Sequence, residues 1–180
     1  MQKDPGGRTG GERAGSLRPR SATSATFLNF AALDHVGFTV SDLDRSVEFY
    51  NLLLGAGPVI RKVWDVEYLA NAAGYPGLKV EAAFWQLPGT SMLELVQYLH
   101  PSPRTVDMET FNVGNAHLSL VTQDLHADFE RLRGRAQFRR SVPTRIEWGP
   151  YEGGWVARIR DPDGITIELV ELPPGGIKLE

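Results

Sequence analysis

The sequence predicts an α+β fold built from two copies of one strand–helix–strand–strand–strand unit, and three observations carry this prediction. A pattern around His35 returns around His117, which lies 82 residues later. Apolar and polar residues alternate through several short segments, as in strands with one buried face. Each copy also has a helical apolar face directly after its first strand. Self-similarity of this kind indicates a duplicated supersecondary unit.

The first copy begins with a strand over residues 33–40, and a helix follows that starts near Asp42 and stops at Gly55. The helix has one apolar face, formed by Leu43, Val47, Tyr50 and Leu54. Alternating segments then predict strands over 58–64, 79–87 and 92–96, with residues 65–77 as a connection.

The second copy follows the same order. A strand is predicted over 116–121 and a helix over 124–133, where Asp124 matches Asp42 at the same 82-residue offset. Strands are expected over 141–147, 155–160 and 165–170. The Asp-Pro-Asp-Gly segment at 161–164 predicts a hairpin turn between the last two strands.

Composition divides the chain into four parts. Residues 1–27 are rich in Gly, Arg and Ser without apolar periodicity, so we expect a disordered N-terminal tail. The first module then covers 28–100, a proline-containing linker covers 101–113, and the second module with a short C-terminal tail covers 114–180.

Charge and cysteine content exclude several classes of function. A net charge of -3 gives no reason to expect nucleic acid or a membrane as a partner, and no apolar run is long enough to span a bilayer. The absence of cysteine rules out disulfides and thiol catalysis, and it fits a cytoplasmic location. We therefore expect a small-molecule substrate.

Four predicted strands each carry one residue that an ordinary sheet core would not contain: His35, Glu94, His117 and Glu168. By strand alternation these residues lie opposite the apolar face. Buried carboxylates are normally paired or bound to metal, and two neutral imidazoles with two carboxylates would balance a divalent cation. Such ligands suit zinc, nickel, cobalt, iron or manganese, and the sequence does not select one of them.

The segments 34–43, 93–95, 116–120 and 161–169 together resemble the vicinal oxygen chelate superfamily, which includes glyoxalase I, methylmalonyl-CoA epimerase, extradiol dioxygenases and bleomycin-resistance proteins. The resemblance covers about residues 30–173. It implies two βαβββ modules whose mixed sheets curl around a shared metal-binding cleft, with His35, Glu94, His117 and Glu168 as the metal ligands. It also implies a homodimer, while leaving open whether the cleft closes within one chain or between two.

The ligand pattern favours a metal-dependent lyase or isomerase of glyoxalase/epimerase type. In such relatives the metal acts as a Lewis acid on a carbonyl and stabilises an enediolate or enolate while a neighbouring carbon loses its proton. Glu168 and Glu94 are the candidate catalytic residues; Glu168 is the expected proton carrier, with Glu94 on the opposite side of the metal, and the resemblance leaves open an exchange of these two roles. The alternatives are an extradiol-type iron dioxygenase, against which the fourth ligand argues, and a drug-binding protein of the bleomycin-resistance type without catalysis.

Aromatic residues concentrate in the segments that would form the walls of the cleft. Together with one arginine that could hold an anionic group, they give the predicted substrate-binding set, namely Trp64, Tyr68, Trp85, Tyr151 and Arg158.

Overall fold

The structure, a computed structural model, describes residues 30–177. The predicted tail over 1–27 lies outside the described residues. Both modules belong to one compact unit that begins at Ala32. Two mixed sheets with few helices confirm the predicted α+β class.

The first module has the predicted order with one additional helix. Its elements are β1 (His35–Thr39), α1 (Leu43–Leu54), β2 (Ile60–Trp64), α2 (Glu67–Ala73), β3 (Lys79–Gln86) and β4 (Met92–His100). The strands form a sheet in the order β1-β4-β3-β2. Strand β1 runs parallel to β4, which places Gly37 beside Glu94, whereas the other pairs are antiparallel.

The second module repeats this arrangement. It contains β5 (His117–Thr122), α3 (Leu125–Leu132), β6 (Gln137–Phe138), β7 (Thr144–Arg145), β8 (Trp155–Arg160) and β9 (Thr166–Glu171). The sheet order is β5-β9-β8-β6, with β7 also paired to β8. Strand β5 runs parallel to β9 and places Ser119 beside Glu168.

The repeat extends to single hydrogen bonds. Asp42 and Asp124 both cap their helices, accepting from the backbone N–H groups of Arg45 at 3.0 Å and Ala127 at 2.9 Å. The last strand of each module also reaches its own helix start, because Gln97 accepts from the N–H of Leu43 and Glu171 from that of Leu125. Side chains on the last strand therefore fix the helix against the sheet in both copies.

One apolar core joins the two modules. The core cluster contains Val40, Leu93 and Leu95 from the first module together with Leu118 and Ile167 from the second. These residues lie on the face that strand alternation predicts to be buried. The face that carries the histidines and glutamates points away from this core in each sheet.

Polar contacts also link the modules. Asp163, in the turn before β9, accepts from the backbone N–H of Ser41 at 2.9 Å and from Nη2 of Arg45 at 2.6 Å. The buried carboxyl of Asp161 accepts from the hydroxyl of Tyr50 on α1 at 3.3 Å. The predicted Asp-Pro-Asp-Gly turn therefore joins its own module to the first helix.

Two elements differ from the sequence prediction. The connection 65–77 contains helix α2, for which Glu67-Tyr68-Leu69-Ala70 and the left-handed Gly74 are adequate start and stop signals. The strand expected over 141–147 is reduced to the two-residue β7. A second short strand, β6, also pairs with β8. Among the described residues, no helix combines the length and the apolar character that crossing a bilayer requires.

Candidate metal centre

The first module brings one imidazole and one carboxylate together. Nε2 of His35 lies 3.2 Å from Oε2 of Glu94, on the open face of the first sheet. The other ring nitrogen, Nδ1, lies 2.7 Å from Oδ2 of Asp34. A carboxylate on Nδ1 fixes the tautomer and the ring orientation, as it does for many metal-binding histidines. The nitrogen free to bind a metal is then the one that faces Glu94.

Glu94 has a glycine on one side and an aromatic ring on the other. A Cβ atom at Gly37 would lie only 3.1 Å from Oε2 of Glu94, so the glycine leaves space for the carboxylate. Phe84 lies opposite Glu94 in the neighbouring strand and contacts His35 edge-on at 6.4 Å between ring centroids. Burial raises the pKa of Glu94, the nearby His35 opposes this shift, and Asp34 adds to it.

The second module arranges the equivalent residues differently. Oε2 of Glu168 accepts from Nε of Arg158 at 2.8 Å and forms an ion pair with Nη2 of Arg158 at 2.7 Å. Its other oxygen, Oε1, accepts from the hydroxyl of Ser119 at 3.2 Å. His117 lies on the same strand and the same face as Ser119, two residues earlier. The carboxylate of Glu168 is therefore held by a cation.

An open cavity of about 900 Å³ covers this face of the second sheet. His117, Ser119, Arg158 and Glu168 all line it. Arginine and apolar side chains form most of the remaining wall, namely Arg139, Arg140, Val121, Val142, Ile146, Val156, Val170, Trp148 and Tyr151. The cavity could hold a small polar group near Glu168 and an apolar group farther out.

The four predicted ligands do not meet within one chain. Across residues 30–177, no group of three or more His, Cys, Asp or Glu side chains is close enough to hold a metal ion. His35 and Glu94 form one pair, while His117 and Glu168 share the cavity of the other module. Within one chain the four candidate ligands therefore form two separate pairs, because the apolar core joins the modules through the opposite faces of their sheets.

The predicted substrate-binding residues have different environments. Trp85 is only 1% exposed and donates its ring N–H to Asn51 and to the carbonyl of Ala56, so it belongs to the core and its assignment to the substrate is wrong. Tyr68 is 69% exposed on α2 and does not line the cavity. Trp64 packs against Phe84, close to His35, while Tyr151 and Arg158 line the cavity near Glu168.

Sequence reasoning missed three residues that shape the site. Asp34 precedes His35, and a carboxylate next to a strand histidine was an available signal. Gly37 and Ser119 are equivalent under the 82-residue repeat, and both lie next to the glutamate of their module. Their proximity to Glu94 and Glu168 depends on the parallel pairing of first and last strands, which the sequence alone does not reveal.

The residues present fit a divalent transition metal. Each module supplies one imidazole and one carboxylate on adjacent strands, and nitrogen–oxygen donors of this kind bind such ions. In the first module the two donor atoms already converge. Two such pairs would give four protein ligands.

Comparisons with known proteins agree with the fold. A model of the Glyoxalase/Bleomycin resistance protein/Dioxygenase superfamily matches residues 32–169. A 2-epi-5-epi-valiolone epimerase from Actinomyces sp. is 30% identical over 156 residues, which are 80% of this chain and 81% of the epimerase. A lactoylglutathione lyase from Salmonella typhimurium is 32% identical over 148 residues, which are 79% of this chain and 93% of the lyase.

A solved structure has the same fold. The glyoxalase family protein from Bacillus cereus superposes with a TM-score of 0.71 at 21% identity, covering 83% of this chain and 99% of that protein. The family match spans both modules and includes all four candidate ligands. The chain therefore belongs to the glyoxalase/bleomycin resistance protein/dioxygenase superfamily.

Proposed function

We propose that this protein is a metal-dependent lyase or isomerase of glyoxalase/epimerase type, which moves a proton on a carbon next to a substrate carbonyl. The observation that carries the proposal is the pair formed by Nε2 of His35 and Oε2 of Glu94, 3.2 Å apart, with a second histidine and glutamate at the repeated positions. A drug-binding protein has no need for such pairs. An epimerase and a lyase among the relatives support the same reaction class.

The complete centre in this proposal forms between two copies of the chain. His35 and Glu94 of one copy face His117 and Glu168 of the other, so a homodimer has two equivalent centres. The open face of the second sheet supports this assembly, because Val121 and Trp148 there are 64% and 86% exposed. Ile60 is likewise exposed on the first sheet, opposite Phe84. A second copy would remove these apolar side chains from water.

The chain's own residues then have separate roles. A divalent metal held by the four ligands would polarise a substrate carbonyl as a Lewis acid. Glu168 takes the proton from the adjacent carbon and returns it to the product, while Glu94 would hold the metal from the first module. Ser119 orients Glu168 through Oε1, and the apolar part of the cavity wall would contact the apolar part of a substrate.

The test combines metal analysis with solvent exchange. Purified protein should contain a divalent metal, and a chelator should inactivate it reversibly. In D₂O, a substrate from a panel of hemithioacetals, hydroxyketones and acyl-CoA thioesters should gain deuterium at the carbon next to the carbonyl. Oxygen uptake with a catechol would instead support a dioxygenase. Metal-free protein that binds a planar drug without turnover would support a resistance-type binder.

A further inference from the structure

We propose that Arg158 lowers the affinity of the proposed metal site, because its guanidinium engages the carboxylate of Glu168 and competes with a divalent cation for it. The inference rests on the proposed function, since it takes Glu168 as a metal ligand. It adds a residue that sets metal affinity and that belongs to only one of the two modules.

The first observation behind this inference is the geometry of the ion pair between Arg158 and Glu168. Nε of Arg158 donates to Oε2 of Glu168 at 2.8 Å, and Nη2 lies 2.7 Å from the same oxygen as the ion-pair contact, which are charge-assisted distances. The hydroxyl of Ser119 donates to Oε1 of Glu168 at 3.2 Å. Both oxygens of the carboxylate are therefore engaged, and the stronger partner lies on Oε2. A metal ligated by Glu168 has to share this carboxylate with a guanidinium or displace it.

The internal repeat shows that the fold does not require this arginine. Phe84 lies directly opposite Glu94, and Arg158 lies directly opposite Glu168 at the same position of the module. Glu94 thus faces an aromatic ring and its histidine partner, whereas Glu168 faces a cation. The arginine is therefore a feature of the second module. In the first module the equivalent position holds the apolar Phe84.

Charge gives the expected direction of the effect. A guanidinium in contact with a ligand carboxylate competes for its lone pairs and repels a dication at the same position. Removal of the guanidinium should therefore strengthen metal binding. If Arg158 stayed on Oε2 and only oriented the carboxylate, its removal would weaken metal binding instead, as the loss of supporting partners usually does.

The released guanidinium would remain in the cavity. Arg158 lines the same wall as Arg139 and Arg140, so its N–H groups would face the space available to a substrate. A freed Arg158 could then donate to an anionic or carbonyl oxygen.

The experiment measures the affinity of the full-length protein for Zn²⁺, Ni²⁺ and Co²⁺ by competition with a chromophoric chelator at pH 7.5. Arg158→Met should bind each metal about 10- to 100-fold more tightly than the parent protein. Arg158→Lys, which keeps the charge without the two-nitrogen contact, should fall between them. Arg158→Phe, which copies the first module, is the second variant should the methionine variant not fold.

Two controls separate the possible causes. Arg140→Met removes a positive charge from the same cavity without touching Glu168, and its affinity should stay within about twofold of the parent. In a Glu168→Gln background, Arg158→Met should lose its effect, as a double-mutant cycle requires. Unchanged or weaker metal binding by Arg158→Met overturns the inference while leaving the proposed function intact. A parent protein that binds no divalent metal would overturn the proposed function itself.

Discussion

His35 presents its Nε2 atom to Oε2 of Glu94 at 3.2 Å, across the parallel pair of strands β1 and β4. The parallel pairing brings the first and last strands of the module side by side, so two residues far apart in sequence share one face. The same pairing in the second module brings His117 and Glu168 to one face. Each module thus supplies one histidine and one glutamate on one face, and we call each such pair a half-centre of the proposed metal site.

Glu168→Gln should abolish turnover while the fold survives. The amide keeps the shape of the side chain but cannot take a proton, and general-base catalysis is worth about 10²- to 10⁴-fold in rate. Steady-state kinetics on the substrate identified by deuterium exchange would measure the loss. Glu130→Gln serves as the control, since Glu130 lies at the surface of α3, where it pairs with Arg133. Full activity in Glu168→Gln would remove Glu168 from the role of proton carrier.

Asp34→Ala should weaken metal binding about 10- to 100-fold, because the Nδ1 atom of His35 loses the carboxylate that orients the ring. The replacement copies the second module, where Ala116 precedes His117. A metal titration with chelator competition would show the effect. Asp65→Asn, which removes a surface charge paired with Lys79, should leave the affinity unchanged. Equal affinities for all three proteins would argue against an orienting role for Asp34.

Gly37→Ala should lower metal affinity with little effect on stability. The new Cβ would lie 3.1 Å from Oε2 of Glu94, so the carboxylate that faces His35 must shift by a few tenths of an ångström from its present position. The matched control is Gly57→Ala, where a Cβ meets nothing within 4 Å. Thermal unfolding and metal titration of both variants would separate folding from ligation. A large loss of stability in Gly37→Ala alone would show that the glycine serves the fold.

Asp161 should make the protein less stable as the pH rises through its titration range. Burial, the first cause, raises the pKa of Asp161 to about 6 from the ordinary 3.8. Between these values the folded chain holds a proton that the unfolded chain has lost, so the free energy of unfolding falls as pH increases. The free energy of unfolding is lowered by the full amount, about 3 kcal/mol, above pH 6, and it is not lowered below pH 4.

Asp161→Asn tests this dependence, because the amide oxygen can still accept from the backbone N–H groups of Asp163 and Ile165 without titrating. The stability of the variant relative to the parent should increase by about 3 kcal/mol between pH 4 and pH 7. Urea unfolding at the two pH values measures the difference. A difference that does not change with pH would mean that Asp161 titrates alike in the folded and unfolded chains.

Local patterns in the sequence were sufficient for most of the fold. Aspartate caps before apolar helical faces located α1 and α3, and strand alternation identified the buried face that carries Leu93 and Leu95. Trp85 was assigned wrongly because the choice of face needs the register of β3 against β4, where Trp85 pairs with Leu93. Register is a long-range property that single-strand patterns do not contain.

The candidate ligands were also within reach of the sequence, since the repeat singles out His35 and His117. How the two half-centres would combine could not be predicted from the sequence. That depends on which faces of the two sheets the core joins, and the contacts of Asp163 with Ser41 and Arg45 help to fix that packing. The contact of Arg158 with Glu168 likewise depends on their opposite positions on neighbouring strands.

The central claim is that each metal centre combines two ligands from one copy with two from another. Co-expression of His35→Ala and His117→Ala chains under different affinity tags tests it directly, because only a mixed dimer can contain one centre with all four ligands. Each variant alone should bind no metal tightly. The mixture should recover about a quarter of the parent's metal per chain, since half of randomly assembled dimers are mixed and each has one intact centre. A mixture that stays as metal-free as its two components would contradict the claim.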